Sequence, residues 1–190
     1  HLERINERIN RNCEAISDDD FAEQIAAVAN METLTGVRPT YFETVTAAAF
    51  RWMADVAVDV AVVEVGLLGR WDATNVCDAQ VAVLTNIGID HTEYAGPTKR
   101  HIAIEKSGIV KPSSAVVIGE TDPELAAIFA NAGGASSLRR PDDFDVLENQ
   151  LALGGRMVDL RTPTTVYPDV FVPLHGRHQG ENAAVALTAA

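Results

Sequence analysis

Two apolar runs, 57–65 and 80–87, constrain this chain more than any other feature. Both are apolar at successive positions and not at every second one, the pattern of a central parallel strand covered on each face. Each leads into a polar group able to ligate a metal: Glu64 near the end of the first and His91 just beyond the second. Ligands of an open α/β sheet bind at the carboxyl ends of its strands. The stretch from Glu64 to Lys106 is therefore where a site is expected.

Helical patterns alternate with these runs. Ser17-Asp18-Asp19-Asp20 places a capping side chain and three acids ahead of Phe21, Ile25, Val28 and Ala29, which predicts a helix to about Thr33. Gly36 and Pro39 interrupt it, and Thr40-Tyr41-Phe42-Glu43 leads into a second stripe at Val45, Ala48, Ala49, Trp52 and Met53. Thr98 can cap a helix to Lys106, ended by Gly108 and barred from continuing by Pro112. Residues 115–118 read as a third strand, and Asp122-Pro123-Glu124 opens a helix that stops between Asn131 and Gly134. From Phe144 the character changes. Residues 144–147 and 156–160 flank Gly154-Gly155 as an antiparallel hairpin, Val170-Phe171-Val172 adds a strand, and an alanine-rich helix opens after Gly176. The first nine residues suit a short helix or an extended lead-in equally. The fold class that follows is α/β, a mostly parallel sheet flanked by helices with an antiparallel hairpin extension.

Composition narrows the function. A chain of 190 residues that is 47% hydrophobic is an ordinary globular domain, with no apolar run near the roughly 18 residues of a membrane span. The net charge of −12 gives no long-range field for nucleic acid or anionic lipid, so an anionic ligand would need a local site. Cys13 and Cys77 are too few for a disulfide framework or a cysteine-rich zinc site, and a reducing, cytoplasmic setting is expected. The chain begins at His1 in mid-pattern, as a piece of a longer polypeptide would.

Each candidate residue has a structural reading and a chemical one. Glu64 is either a strand-end acid bonded to nearby amides or a hard oxygen donor for Mg²⁺. His91 is either a hydrogen-bonded structural residue or a metal ligand. Lys106, beside Glu105, reads in isolation as a solvated ion pair. Arg70-Trp71-Asp72-Ala73-Thr74-Asn75 is either a capped turn with Trp71 as a core anchor, or an aromatic wall and carboxylate suited to a flat heterocycle. His178 and Asn182, four apart, share a helix face and either cap it or contact a nucleotide at its start. No phosphate loop of the form G-x-x-x-x-G-K-[ST] is present, because no glycine here precedes a lysine.

Taken in order, the motifs are more specific than any one of them. Val63-Glu64-Val65-Gly66, Gly69-Arg70-Trp71-Asp72-Ala73-Thr74-Asn75, Asn86-Ile87-Gly88-Ile89-Asp90-His91 and Glu105-Lys106-Ser107-Gly108-Ile109 together resemble the folylpolyglutamate synthase/dihydrofolate synthase family of the Mur ligase superfamily. The segments 1–8, Thr40-Tyr41-Phe42-Glu43 and Gly176-Arg177-His178-Gln179-Gly180-Glu181-Asn182 look like motifs of the same family, so the resemblance spans nearly the whole chain.

The resemblance implies a P-loop NTPase-like central ATPase domain over 1–190. Glu64 and His91 would be Mg²⁺ ligands, Lys106 a lysine converted to a carbamate, and His91 part of the same catalytic set. Thr40, Trp71, Asp72 and Ala73 would bind the pterin; Asn182, and more weakly His178, would contact ATP. The implied reaction is ATP-dependent amide formation between dihydropteroate or a folyl-glutamate carboxylate and L-glutamate, through an acyl phosphate. A cytoplasmic monomer that engages neither nucleic acid nor membrane is expected. A cell-wall Mur-type amino-acid ligase and a non-catalytic folate- or nucleotide-binding module are the rival readings. Three positions depart from the family: Leu68 stands where a glycine is usual before Gly69-Arg70, Ala95 where a leucine is, and Ser107 where an alanine is. The family's phosphate loop and its carboxyl-terminal glutamate-binding domain are expected outside this stretch, so 1–190 alone is expected to be inactive.

Overall fold

The computed structural model describes residues 3–89 and 92–190, with the backbone alone at Thr92 and Glu93. The chain divides into two compact units, one ending at Gly66 and the other spanning Leu67–Ala190.

In the first unit a 3-10 turn, Ile5–Arg8, precedes a small hairpin of β1 (Asn10–Arg11) and β2 (Glu14–Ala15). Asn12 and Cys13 both take positive φ, 52° and 67°, as the two-residue turn of a twisted hairpin demands. Helix α1 (Asp18–Thr35) starts where the acids predicted: the Ser17 hydroxyl accepts from the Asp20 amide at 3.0 Å, and Gly36 ends the helix in the left-handed region. Helix α2 (Tyr41–Asp55) is capped by Thr40. Ile9, Ile16, Val45 and Trp52 form the core of this unit. Buried Asn6 ties the lead-in to it, donating to the Ile16 carbonyl at 2.9 Å and to Asp18 at 3.0 Å.

The strand expected over 57–65 is not formed. After α2 the backbone turns through Ala57 at φ 50° and continues to Val65 without regular structure, with Val60 and Val62 exposed. A strand is stabilised by a ladder partner and not by its apolar pattern alone. The other strands described in this unit, β1 and β2, pair with each other.

The second unit contains the sheet that the alternating pattern predicted. Strands β3 (Val81–Leu84), β4 (Ala115–Ile118) and β5 (Ser136–Arg139) are parallel, in that order, with Val81 opposite Ala115 and Ala115 opposite Ser136. Short α3 (Thr92–Ala95) and α4 (Lys99–Lys106) lead from β3 to β4, and α5 (Pro123–Ala130) leads from β4 to β5. Strands β6 (Asp145–Ala152), β7 (Gly155–Arg161) and β8 (Val166–Val172) form an antiparallel sheet, and α6 (His178–Ala189) closes the chain. The β6–β7 turn is Leu153-Gly154, with Ala152 paired to Gly155.

Strand β4 shows why its sequence is apolar throughout. Val116 and Ile118 pack with Leu84, Ile102, Ala103, Leu125 and Phe129, the layer formed by α4 and α5. Val117 points the other way, into Phe144, Val158, Leu160, Val172, Ala184 and Val185. Helix α6 thus lies between the parallel sheet and the antiparallel one. Gly119, just past β4, admits it: a Cβ there would stand 2.8 Å from Val185 Cγ2.

Candidate functional site

The Gly69–Asn75 motif forms a loop held against the carboxyl end of α4. Its internal geometry is set by Asp72, whose Oδ2 accepts from the Leu67 amide at 2.7 Å and whose Oδ1 accepts from the Thr74 amide at 3.0 Å and from the Thr74 hydroxyl. This caps the 3-10 turn Ala73–Val76. The loop is then fixed to the helix end. The Arg70 amide donates to the Glu105 carbonyl at 3.1 Å, and the Asn75 amide group donates to the carbonyls of Arg70 (3.0 Å) and Gly108 (3.1 Å). Lys111 Nζ donates to the Asn75 carbonyl at 3.0 Å, and Arg70 Nε lies 3.8 Å from Glu105 Oε1.

Two glycines permit this approach. A Cβ on Gly69 would lie 3.0 Å from the carbonyl oxygens of Glu105 and Lys106, and one on Gly108 would lie 2.6 Å from Arg70 Cβ. Leu68 adopts φ 61°, a conformation in which glycine carries no steric cost, and its side chain packs against the α4–α5 core. The departure noted in the sequence is thus a leucine that trades backbone freedom for burial.

The loop brings Trp71, Asp72 and Ala73 to the helix end that carries half-buried Lys106. Trp71 is 88% exposed, which rules out the core-anchor reading and leaves its ring available as a wall. Asp72 does act as a turn cap, as the structural reading held; Oδ1 accepts twice, and Oδ2, which accepts once, retains a lone pair.

In the first unit, Glu64 is exposed on the irregular segment after α2, and among the described residues no ion pair or hydrogen bond engages it. Nearby, a Cβ on Gly66 would stand 2.3 Å from Phe42 Cζ, so the Phe42 ring rests on that glycine. Thr40 forms a reciprocal cap with Glu43: its amide donates to Glu43 Oε2 at 2.7 Å and its hydroxyl accepts from the Glu43 amide at 3.4 Å. The Thr40 backbone amide, and then its hydroxyl, hold the Glu43 carboxyl below its ordinary pKa. His91 lies outside the described residues.

Around the start of α6 a polar crevice is lined by Thr85, Asn86, Gly119, Arg140, Glu181 and Asn182. It opens at the carboxyl ends of β3 and β4, the expected ligand edge of such a sheet. Asn182 is exposed and donates to Gln179 Oε1 at 3.2 Å. His178, the first residue of α6, folds its ring back over Gly176, where a Cβ would lie 2.5 Å from Cε1. Neither caps the helix, because its N-cap position, Arg177, makes no side-chain capping bond.

Of two further residues of these regions, Arg140 carries no local sequence signal, whereas Glu120 lies just past the end of β4. Arg140 bridges Asp145, five residues on, and Glu181, far along the chain. Burial opposes its charge, but the hydrogen bonds to Asp145 and Glu181 outweigh that and raise its pKa above the ordinary value. Buried Glu120 accepts from the Ile87 amide at 2.7 Å and from the Asp122 amide at 2.8 Å, fixing the segment that leads toward His91. An acid at the end of a strand was the rule that singled out Glu64; applied to β4 it would have found Glu120.

Among the described residues no three acids, histidines or cysteines gather as a metal cage. Mg²⁺ does not require one, since it is commonly held by one or two protein ligands, waters and substrate phosphates. The Glu64 carboxylate, which no described residue engages, is chemically suited to that arrangement. Among the described residues no helix is long and apolar enough to cross a membrane.

The model of the Mur ligase middle domain matches residues 18–190. The dihydrofolate synthase/folylpolyglutamate synthase of Mycobacterium tuberculosis is 46% identical over 155 residues, which cover 77% of this chain and 32% of that protein. That of Bacillus subtilis is 35% identical over 193 residues, 97% of this chain and 45% of the relative. A solved FPGS–AMPPCP–folate complex superposes with a TM-score of 0.91 at 34% identity, covering 100% of this chain and 48% of that one. The chain therefore spans about a third to a half of these relatives.

Proposed function

The chain belongs to the Mur ligase family through its middle domain, and from that premise we propose that it is the central ATP-binding domain of a folate–glutamate ligase. The observation that carries this reading is the loop holding Trp71, Asp72 and Ala73 against the end of α4 beside Lys106. An aromatic wall and a carboxylate oxygen with a free lone pair lie on a loop bonded to the helix end that carries half-buried Lys106, which suits a flat, hydrogen-bonding ring placed near a phosphoryl-transfer site. The relatives named for folate and dihydrofolate synthesis support the same substrate class.

In this proposal a carboxylate oxygen of dihydropteroate or a folyl-glutamate attacks the γ-phosphorus of ATP, giving an acyl phosphate and ADP. The amine of L-glutamate then attacks the acyl carbon, phosphate leaves, and the amide is formed with loss of the amine proton. Thr40, Trp71, Asp72 and Ala73 hold the pterin end; Asn182, with His178, contacts ATP. Glu64 and His91 would hold Mg²⁺, which when bound offsets the charge of the phosphates. Lys106, as its neutral amine, would add to CO₂ and release a proton, becoming an anionic carbamate on a long stem. We place the protein in the cytoplasm as a monomer, with no nucleic acid or membrane partner, in keeping with its acidic charge; the activity belongs to a longer polypeptide than 1–190.

The test is phosphate release by the full-length protein with ATP, L-glutamate and either dihydropteroate or a muramoyl peptide as acceptor. Release with dihydropteroate, lowered at least about a hundredfold in Lys106→Ala, is the expected result. Release with the muramoyl acceptor alone would assign a cell-wall ligase, and none with either would assign a binding module. A CO₂-dependent mass adduct on gently prepared protein, absent from Lys106→Ala, checks the carbamate.

A further inference from the structure

Arg140 joins three parts of the second unit. Its backbone amide donates to the Ile118 carbonyl at 3.0 Å, so its Cα is fixed by the parallel sheet just beyond β5. Its side chain is only 16% exposed; Nε bonds Asp145 Oδ1 at 2.6 Å, at the start of β6, and Nη1 lies 3.2 Å from Glu181 Oε2 on α6. A guanidinium is a rigid planar fork, so two carboxylates on two of its nitrogens are held in fixed relative directions.

The consequence falls on Asn182. Glu181 is in the first turn of α6, where Arg177 provides no side-chain cap, and the next residue, Asn182, faces the same crevice as Arg140. We propose that Arg140, acting through Glu181, is a positioning residue that sets the rotation and depth of the α6 start and hence the placement of Asn182 toward nucleotide. This rests on the ligase reading for the role of Asn182. A guanidinium already engaged by two carboxylates adds little attraction for phosphates, so its contribution is geometric.

The test uses the full-length protein with Arg140→Gln, Glu181→Gln and the double substitution, reading KM for ATP, kcat, KM for dihydropteroate and AMPPCP binding by calorimetry. Each single substitution is expected to raise KM for ATP and the AMPPCP Kd about tenfold, ~1.4 kcal/mol, with KM for dihydropteroate unchanged. The double variant should be no worse than Arg140→Gln alone, because both act through one bond. Glu181 is half-exposed, so Glu181→Gln keeps the question open to measurement if Arg140→Gln does not fold. Unchanged AMPPCP binding in Glu181→Gln, or additive losses in the double variant, would overturn the positioning role alone. Wild-type protein that binds no AMPPCP would overturn the ligase reading, and this inference with it.

Discussion

Both carboxylate oxygens of Glu120 accept from backbone amides, Ile87 at 2.7 Å and Asp122 at 2.8 Å, in a site where the residue is 7% exposed. A buried donor left without a partner costs ~1–3 kcal/mol. Glu120→Ala strands the buried Ile87 amide, while exposed Asp122 can turn to water, and is expected to lower unfolding stability in urea by about 1–3 kcal/mol. Glu120→Gln keeps one carbonyl acceptor and should lose about half as much; equal losses, or none, would contradict this account. At the same scale, Trp71 is exposed and Leu68 is left-handed, neither of which follows from side-chain preference. Glu64 and Lys106 could be named from their motifs. Arg140 could not, since Glu181 lies far along the chain; Glu120, just past β4, carries the same strand-end signal as Glu64.

At the scale of elements, chain punctuation was legible wherever a local cap sets it. Ser17, Thr98 and Asp122 all accept amides at the helix starts expected of them, and Thr40 does the same ahead of the second helical stripe. The loop–helix contact depends instead on two glycines. In Gly108→Ala the new Cβ would meet Arg70 Cβ at 2.6 Å and Arg70 Cα at 2.7 Å. These are not the far ends of flexible chains, so the loop must move away from α4. The expected outcome is a KM for dihydropteroate raised about tenfold or more, with KM for ATP near wild type; ~1.4 kcal/mol of lost acceptor binding corresponds to that change. A folded Gly108→Ala protein with unaltered acceptor KM would show that the contact does not serve the acceptor site. Strand β5 escaped the sequence because Ser136-Ser137-Leu138-Arg139 has no apolar run; it exists by pairing with β4.

For the second unit as a whole, Phe129 and Phe144 are each fully buried, one in the layer of α4 and α5 and the other between α6 and the antiparallel sheet. Truncation of either to alanine should cost about 3–5 kcal/mol, read as a lowered urea midpoint. If the layers share β4 as a single cooperative core, near-UV and far-UV transitions will coincide in both variants; separate transitions would divide the layers into independent units. The sequence by itself determined the alternation of strands and helices, the helix caps, the hairpin turn and the motifs of the family, because each is set by side-chain periodicity or by groups a few residues apart. Tertiary structure alone decided that 57–65 forms no strand, that β5 does, that the Trp71 loop lies on α4, and that Arg140 reaches α6. Each of those depends on a partner distant in the chain, and the hydrogen-bonding and packing energy of such a partnership is absent until the two segments meet.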